Sequence, residues 1–287
     1  MSGAPNAFAA RLHACFAAGR RLCVGIDPHP ALLADWGLAD TPENLAFFGR
    51  QLIEAAQAGG AAAVKPQSGL FERHGSRGIA ALEEVLASAR QAGMLSLLDV
   101  KRGDIGSTMR GYAEAYLSDA STLAADAVTL SPYLGFGSLG PALELAGETG
   151  RGVFVLALTS NPEGALVQRA VTASGLQVGE TVIQAVAQAN AGAAPMGHLG
   201  VVIGATIGSL PPAAAQMIAQ VGGPILVPGL GAQGGREEDV ARLFGPARGL
   251  VLATASRAIA GAGPDPARLA AAVRETGANL MFIGIAS

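Results

Sequence analysis

The chain reads as a single-domain α/β protein with the (β/α)8 architecture of a TIM barrel, and three observations predict it. Eight short apolar runs recur along the 287 residues, amphipathic segments lie between them, and most runs end in Gly, Pro, Ser or Asp. The runs are LCVGID (22–27), AAVKP (62–66), LSLLDV (95–100), AVTLSP (127–132), GVFVLAL (152–158), LGVVIGA (199–205), PILVPG (224–229) and GLVLATAS (249–256). Each is too short for a core helix, and near-continuous apolarity implies burial on both faces, as in parallel strands covered by helices.

Helices are expected between them at 43–58, 77–92, 176–191, 209–219 and 266–276, where apolar residues recur at helical spacing. An open doubly wound sheet would use the same alternation; eight strands favour the closed barrel. AGAGPDP (260–266) and NPEGALVQRAVTASG (161–175) read as loops, and no low-complexity linker divides the chain, so 1–287 is taken as one domain. Residues 1–20 form an N-terminal helical extension. Arg11 and His13 interrupt its apolar stretch and no basic segment leads it, so it reads as a surface helix packing on the domain rather than a secretion signal.

The composition is 50% hydrophobic and 14% charged with a net charge of −3, which excludes disorder and argues against non-specific binding to nucleic acid or membranes. No stretch has the length and flanks of a membrane span. Cys15 and Cys23 are the only cysteines and have neither metal-ligand nor disulfide spacing, which fits a reduced, cytoplasmic setting. His13, His29, His74 and His198 are scattered, so no metal site is expected.

Barrel enzymes carry their chemistry at the C-terminal ends of strands. Polar residues cluster there: Asp27, Lys65, Asp99 with Lys101, Ser160, Gln233 and Arg257. On a strand, residues two apart share a face, so Leu95, Leu97, Asp99 and Lys101 line up with apolar side chains below and charges on top. Asp104 lies just past this strand and Lys65 ends the preceding one, bringing two lysines and two aspartates towards one cleft. Each ammonium would hold its neighbouring carboxylate ionised, and each carboxylate its lysine protonated. From this pattern alone, a structural ion-pair network accounts for it as well as a catalytic centre does. Arg73 and Arg102 read as solvated surface charges, and Trp36 as packing.

The surrounding words are more specific. Asp99-Val-Lys101-Arg-Gly-Asp104-Ile105-Gly-Ser-Thr108 resembles the D-x-K-x-x-D-I-x-x-T signature of the orotidine 5′-phosphate decarboxylases. VGIDPHP, AAVKPQSGLFERHG, LTSNPEG, VPGLGAQGG and ASRAI match that family in the right order, over about residues 20–260, in the wording of its longer bacterial branch. The resemblance implies a cofactor-free and metal-free decarboxylation of orotidine 5′-phosphate to uridine 5′-phosphate, the last step of de novo pyrimidine synthesis. It implies that Lys101 protonates C6, that Asp99 sits against the departing carboxylate, and that Lys65 pairs with Asp99 and the ribose hydroxyls. Asp104, Ile105 and Thr108 would reach the neighbouring active site of a homodimer. Asp27 would accept from the ribose, and Ser160 would bond the pyrimidine edge beneath a lid at 161–175. Gly229, Gln233 and Arg257 would hold the phosphate. One departure stands out: many relatives have Gly where this chain has Ser256. Locally, Asp27 is equally a turn starter capping backbone, and Ser160 a plain turn residue.

Two rivals share parts of this pattern. A decarboxylase of the same barrel group, acting on a 3-keto sugar phosphate with Mg²⁺, also carries D-x-K-x-x-D, but Lys65 would stand where a cation is unwelcome. A non-catalytic nucleotide-binding regulator would be expected to lack Asp99 or Lys101.

Overall fold

The computed structural model describes residues 7–208, 212–229, 240 and 243–280. Eight parallel strands close into a barrel in sequence order: β1 (Leu22–Ile26), β2 (Ala63–Pro66), β3 (Leu95–Arg102), β4 (Ala127–Leu130), β5 (Gly152–Leu158), β6 (Leu199–Ile203), β7 (Ile225–Pro228) and β8 (Val251–Ala255). Closure comes from β8 pairing with β1 in the register Leu22↔Ala253, Cys23↔Thr254, Val24↔Ala255. Every expected strand is present; β3 runs two residues past its expected end, to Arg102, and the others stop at or short of theirs. Asp27, Pro132, Gly229 and Ser256 lie beyond the ladder, on the rim, while Pro66 and Pro228 close their strands.

Strand alternation sorts the core into two layers. Cys23, Ala63, Leu95, Leu97, Ala127, Phe154, Val202, Leu226 and Leu252 fill the barrel interior. Val24, Val64, Leu98, Val128, Val153, Val201, Ile225 and Val251 face outward onto the helices. The outer helices include Pro42–Gly59, Gly75–Gln91, Val178–Ala189, Pro212–Ala219 and Pro266–Ala278, close to the expected spans; positions 209–211 lie outside the described residues. Pro42–Gly59 carries its stop and start signals in its sequence: the Thr41 hydroxyl accepts from the Asn44 amide, and Gly60 ends the helix at φ +79°. Gly106–Leu117 and Gly140–Thr149 are helices that the apolar periodicity does not announce, because glycine dilutes both. The 161–175 segment holds one 3₁₀ turn (Pro162–Gly164) and a short helix (Ala165–Gln168). Among the described residues no helix is long and apolar enough to cross a membrane.

The helix Phe8–Ala17 does more than pack on the surface. Phe8, Leu12, Cys15 and Phe16 are buried in the interior layer and close the floor of the barrel. The Phe8 ring meets Phe154 edge to face, with centroids 5.9 Å apart. It occupies the place where a β-carbon on Gly152 would stand, only 2.3 Å from Phe8 Cδ1. Arg11 fastens the helix to Asp126 at 2.5 Å, and the same carboxylate accepts from the Ser96 amide and hydroxyl. Without this floor, the lower layer of small side chains would face water.

Phe8→Ala should therefore cost about 3–5 kcal/mol of stability by opening a cavity under Phe154. Urea unfolding measures it, and a change below about 1 kcal/mol would show that the helix is only a surface appendage.

Candidate active site

At the C-terminal end of the barrel lies a cavity of about 350 Å³, within the size range of small-ligand sites. Its floor is apolar, formed by Leu156, Val202 and Leu226, and its rim carries Asp27, Lys65, Gln67, Asp99, Lys101, Thr129, Ser160, Gly229, Ser256 and Arg257. Each polar residue sits in the C-terminal half of a strand or just beyond its end, so the ladder fixes where its side chain starts.

Asp99 is the hub. Its Oδ2 accepts from Lys65 Nζ at 2.8 Å and Gln67 Nε2 at 3.2 Å; its Oδ1 accepts from Lys101 Nζ at 2.6 Å and Thr129 Oγ1 at 2.7 Å. Burial alone would raise the Asp99 carboxyl, but the Lys65 and Lys101 charges outweigh it and hold the group well below the usual carboxylate range. Burial would likewise lower Lys65, yet Asp99 and then Asp27 hold its ammonium above the ordinary lysine value. The two ammoniums differ in access: the Lys65 side chain is 10% exposed and Lys101 46%. Beneath them, burial pushes the Cys23 thiol up to about 12, so it is an inert core group.

Simple alternation does not carry Lys101 to this position. From Leu98↔Val128 to Arg102↔Leu130, β3 advances by more residues than β4, which makes a bulge. Within it, Lys101 takes φ +46°, the sole positive φ at a non-glycine residue among those described. Such a conformation costs about 1–2 kcal/mol for an L-residue and persists where its surroundings over-determine it. Here they do. Thr129 Oγ1 accepts from the Lys101 amide at 3.0 Å while donating to Asp99, so one hydroxyl fixes both. The Arg102 carbonyl accepts from the Ser131 amide at 2.7 Å. Gly103 lies so close to Ser131 that a β-carbon would stand 2.2 Å from its carbonyl oxygen.

Arg102 is not a solvated charge. It pairs with Glu72 at 2.7 Å, lies over the Tyr112 ring at 5.8 Å, and ties the end of β3 to the helix after β2. Arg73 similarly grips both oxygens of Asp40 at 2.6 Å. Trp36 packs against Phe48, as its apolar character suggests, and donates to the Ala260 carbonyl at 2.8 Å.

Of the residues singled out from sequence, Asp27, Lys65, Asp99, Lys101, Ser160, Gly229 and Arg257 share this cavity. Gly229 has φ +93°, which requires glycine at that rim position. Gln233 lies outside the described residues. Among the described residues the Asp27 side chain caps no backbone: Oδ2 accepts from Ser256 Oγ at 2.5 Å, and Oδ1 is buried without a partner. Beside Ser160, the Gln168 side chain accepts from the Thr159 amide at 2.8 Å and donates to its hydroxyl at 2.7 Å, folding Ala165–Gln168 back onto the end of β5.

Asp104, Ile105 and Thr108 are not brought into this cavity. Asp104 accepts from the Ile105 amide at 2.8 Å, the Ile105 side chain is 62% exposed, and Thr108 is exposed on the first turn of the helix Gly106–Leu117. Sequence reading missed Gln67 and Thr129. Thr129 hides in an apolar strand as an ordinary β-former, and its signal is that it shares the inward face with Ala127 at the strand's C-terminal end.

Comparison with known proteins agrees with this architecture. Residues 20–273 match the model of the orotidine 5′-phosphate decarboxylase / HUMPS family. The orotidine 5′-phosphate decarboxylase of Salinispora arenicola is 54% identical over 267 residues, covering 93% of this chain and 94% of that protein. A crystal structure from Streptomyces avermitilis, assigned to orotidine 5′-phosphate decarboxylase, shares 49% identity with a TM-score of 0.90, covering 96% and 94% of the two chains. The OMP decarboxylase structure of Leishmania donovani is 30% identical with a TM-score of 0.77, covering 98% and 100%.

The ionic hub also sets a pH dependence. Asp99, depressed in the fold, contributes stability that is present above the ordinary carboxylate value of about 4 and is lost as pH falls below it. Lys65, raised, contributes stability that is lost only as pH rises beyond the ordinary lysine value of about 10.4. The pair's contribution should thus be flat from about pH 6 to 9 and fall off in acid. Asp99→Asn should lower the urea midpoint at neutral pH and flatten the acid limb; parallel acid limbs in the two proteins would contradict this.

Proposed function

The chain belongs to the orotidine 5′-phosphate decarboxylase / HUMPS family, and from that premise we propose that it converts orotidine 5′-phosphate to uridine 5′-phosphate, the closing step of de novo pyrimidine synthesis. The observation that carries this reading is a buried carboxylate, Asp99, held between the ammoniums of Lys65 and Lys101 on the wall of a nucleotide-sized cavity.

The substrate's pyrimidine lies towards Ser160, its ribose between Asp27 and Lys65, and its phosphate at the rim near Gly229 and Arg257. A guanidinium and a glycine whose backbone can approach an anion suit that end. Its C6 carboxylate then faces Asp99, a charge that the surrounding donors keep ionised at every physiological pH. Repulsion between the two carboxylates eases as the C6–CO2 bond breaks and CO2 leaves neutral. The bonding electron pair stays on C6. The Lys101 ammonium, fixed by Asp99 and the bulge, stabilises that developing charge and then transfers its proton to C6. Neutral Lys101 recovers a proton from solvent, for which its partial exposure suits it. Lys65, more deeply buried and held protonated, keeps Asp99 and Asp27 in place instead.

The HUMPS branch of the family name keeps the Mg²⁺-dependent alternative in view. The donor set favours the metal-free reading. Both Asp99 oxygens already accept from ammoniums, at 2.6 and 2.8 Å, and among the described residues no three His, Cys, Asp or Glu side chains gather as a metal site. The active unit is a homodimer in which Asp104, Ile105 and Thr108 complete the partner's site; all three lie outside this chain's own cavity, with Ile105 and Thr108 exposed and Asp104 half-buried, which supports that assignment. The enzyme works in the cytoplasm, where the free, buried thiols of Cys15 and Cys23 stay reduced.

Lys101→Ala should abolish turnover of orotidine 5′-phosphate, followed spectrophotometrically, while a product analogue still binds measurably. The parent's rate should be unchanged by EDTA. Near-normal turnover in the variant, or loss in EDTA restored by Mg²⁺, would sink the assignment. Mixing inactive Lys101→Ala and Asp104→Ala proteins should restore about a quarter of parental activity, because random reassortment of a two-fold dimer rebuilds one intact site per mixed dimer. No recovery after verified subunit exchange would refute shared sites.

A further inference from the structure

The β1–β8 seam carries an arrangement that the reaction scheme does not use. The register Val24↔Ala255 sets Gly25 opposite Ser256, with Asp27 and Arg257 next along the rim. Ser256 is the N-cap residue of the helix Arg257–Ala260, a place where a serine hydroxyl ordinarily accepts from a helix amide. Here it makes no such cap. It turns to the barrel mouth and donates to Asp27 Oδ2 at 2.5 Å. Gly25 makes room for it: a β-carbon there would stand 2.6 Å from Ser256 Cβ and 3.2 Å from Asp27 Oδ2. The other oxygen, Asp27 Oδ1, is buried and has no partner among the described residues, on a residue that lines the cavity. A buried carboxylate oxygen left unpaired is costly unless a ligand donor meets it.

We propose that Ser256 is a positioning residue for Asp27: its hydroxyl ties down Oδ2 so that Oδ1 is presented to the ribose hydroxyls of the nucleotide. The inference rests on the ribose role proposed for Asp27 above. One bond then links the first and last strands and joins the ribose acceptor to the residue beside Arg257 at the phosphate end. Ribose and phosphate subsites are held at a fixed separation through the barrel seam. A glycine at position 256 could hold the same backbone and would leave Asp27 free to rotate.

The test is the preference for a ribonucleotide over its deoxy counterpart, read by titration calorimetry with uridine 5′-monophosphate and 2′,3′-dideoxyuridine 5′-monophosphate. Asp27→Asn should sharply reduce the parental preference. If it does not, the ribose reading of Asp27 fails, and this inference with it. Given that reduction, Ser256→Ala and Ser256→Gly should each lower the preference by roughly five- to twentyfold, as loss of a charge-assisted hydrogen bond would. Their affinity for the dideoxy ligand should stay within about twofold of the parent. A parental preference in both Ser256 variants, or a parallel loss of both affinities together with a lowered melting temperature, would overturn the positioning role and leave Ser256 a purely structural residue.

Discussion

A carboxylate buried at the mouth of an apolar barrel is expensive unless every oxygen lone pair is met by a donor. Asp99 meets that condition with two ammoniums, an amide and a hydroxyl, drawn from β2, the segment after it, β3 and β4. The rest of the site follows from it. Lys65 is tolerable at 8% exposure because Asp99 and Asp27 sit near it, and Lys101 is held in a conformation it would not adopt alone because Asp99 and Thr129 grip its two ends. Removing the carboxylate would leave two cations and an inward-facing hydroxyl without their common acceptor.

The barrel supports this hub by keeping polarity strictly at one end. Below it, the interior is filled by small and apolar side chains down to Phe154, and the floor is sealed by Phe8, Leu12 and Phe16. The low-dielectric body strengthens the electrostatics of the rim. It also explains why Cys23, one layer beneath Lys65, behaves as a hydrophobe although three charged groups act on it. Stability and chemistry thus occupy opposite ends of the same strands, as the barrel architecture allows.

How much of this could be read in advance follows from what each residue's neighbours reveal. The strands were legible because parallel strands covered on both faces must be apolar throughout, and Asp99 and Lys101 stood out as charges at the end of such a run. The floor helix was legible as a helix but not as a plug, since nothing in FAARLHACFA tells a packed surface from a barrel interior. Gln67 and Thr129 were invisible because their roles depend on a neighbouring strand and on register. Arg102 was misjudged for the same reason: its partner Glu72 belongs to the short helix after β2. The bulge could not be foreseen from alternation, which placed Lys101 on the right face for the wrong reason.

That bulge also explains how one short motif faces two ways. A regular strand would keep every second residue of Asp99-Val-Lys101-Arg-Gly-Asp104 on one side and carry the chain straight past the rim. The left-handed turn at Lys101 instead spends its reversal there, sending the lysine back to Asp99. Gly103 then passes close against Ser131, and Gly106, at φ +52°, starts the next helix. Two glycines within four residues let the chain turn away from the rim, with Asp104 half-buried and Ile105 exposed between them. The strain that aims Lys101 inward and the exit that turns Asp104 outward are therefore one feature of the backbone. A substitution that relaxed the first would be felt by the second, so Lys101, the proposed proton donor, and the surface proposed to serve a partner subunit are coupled through the turn between them.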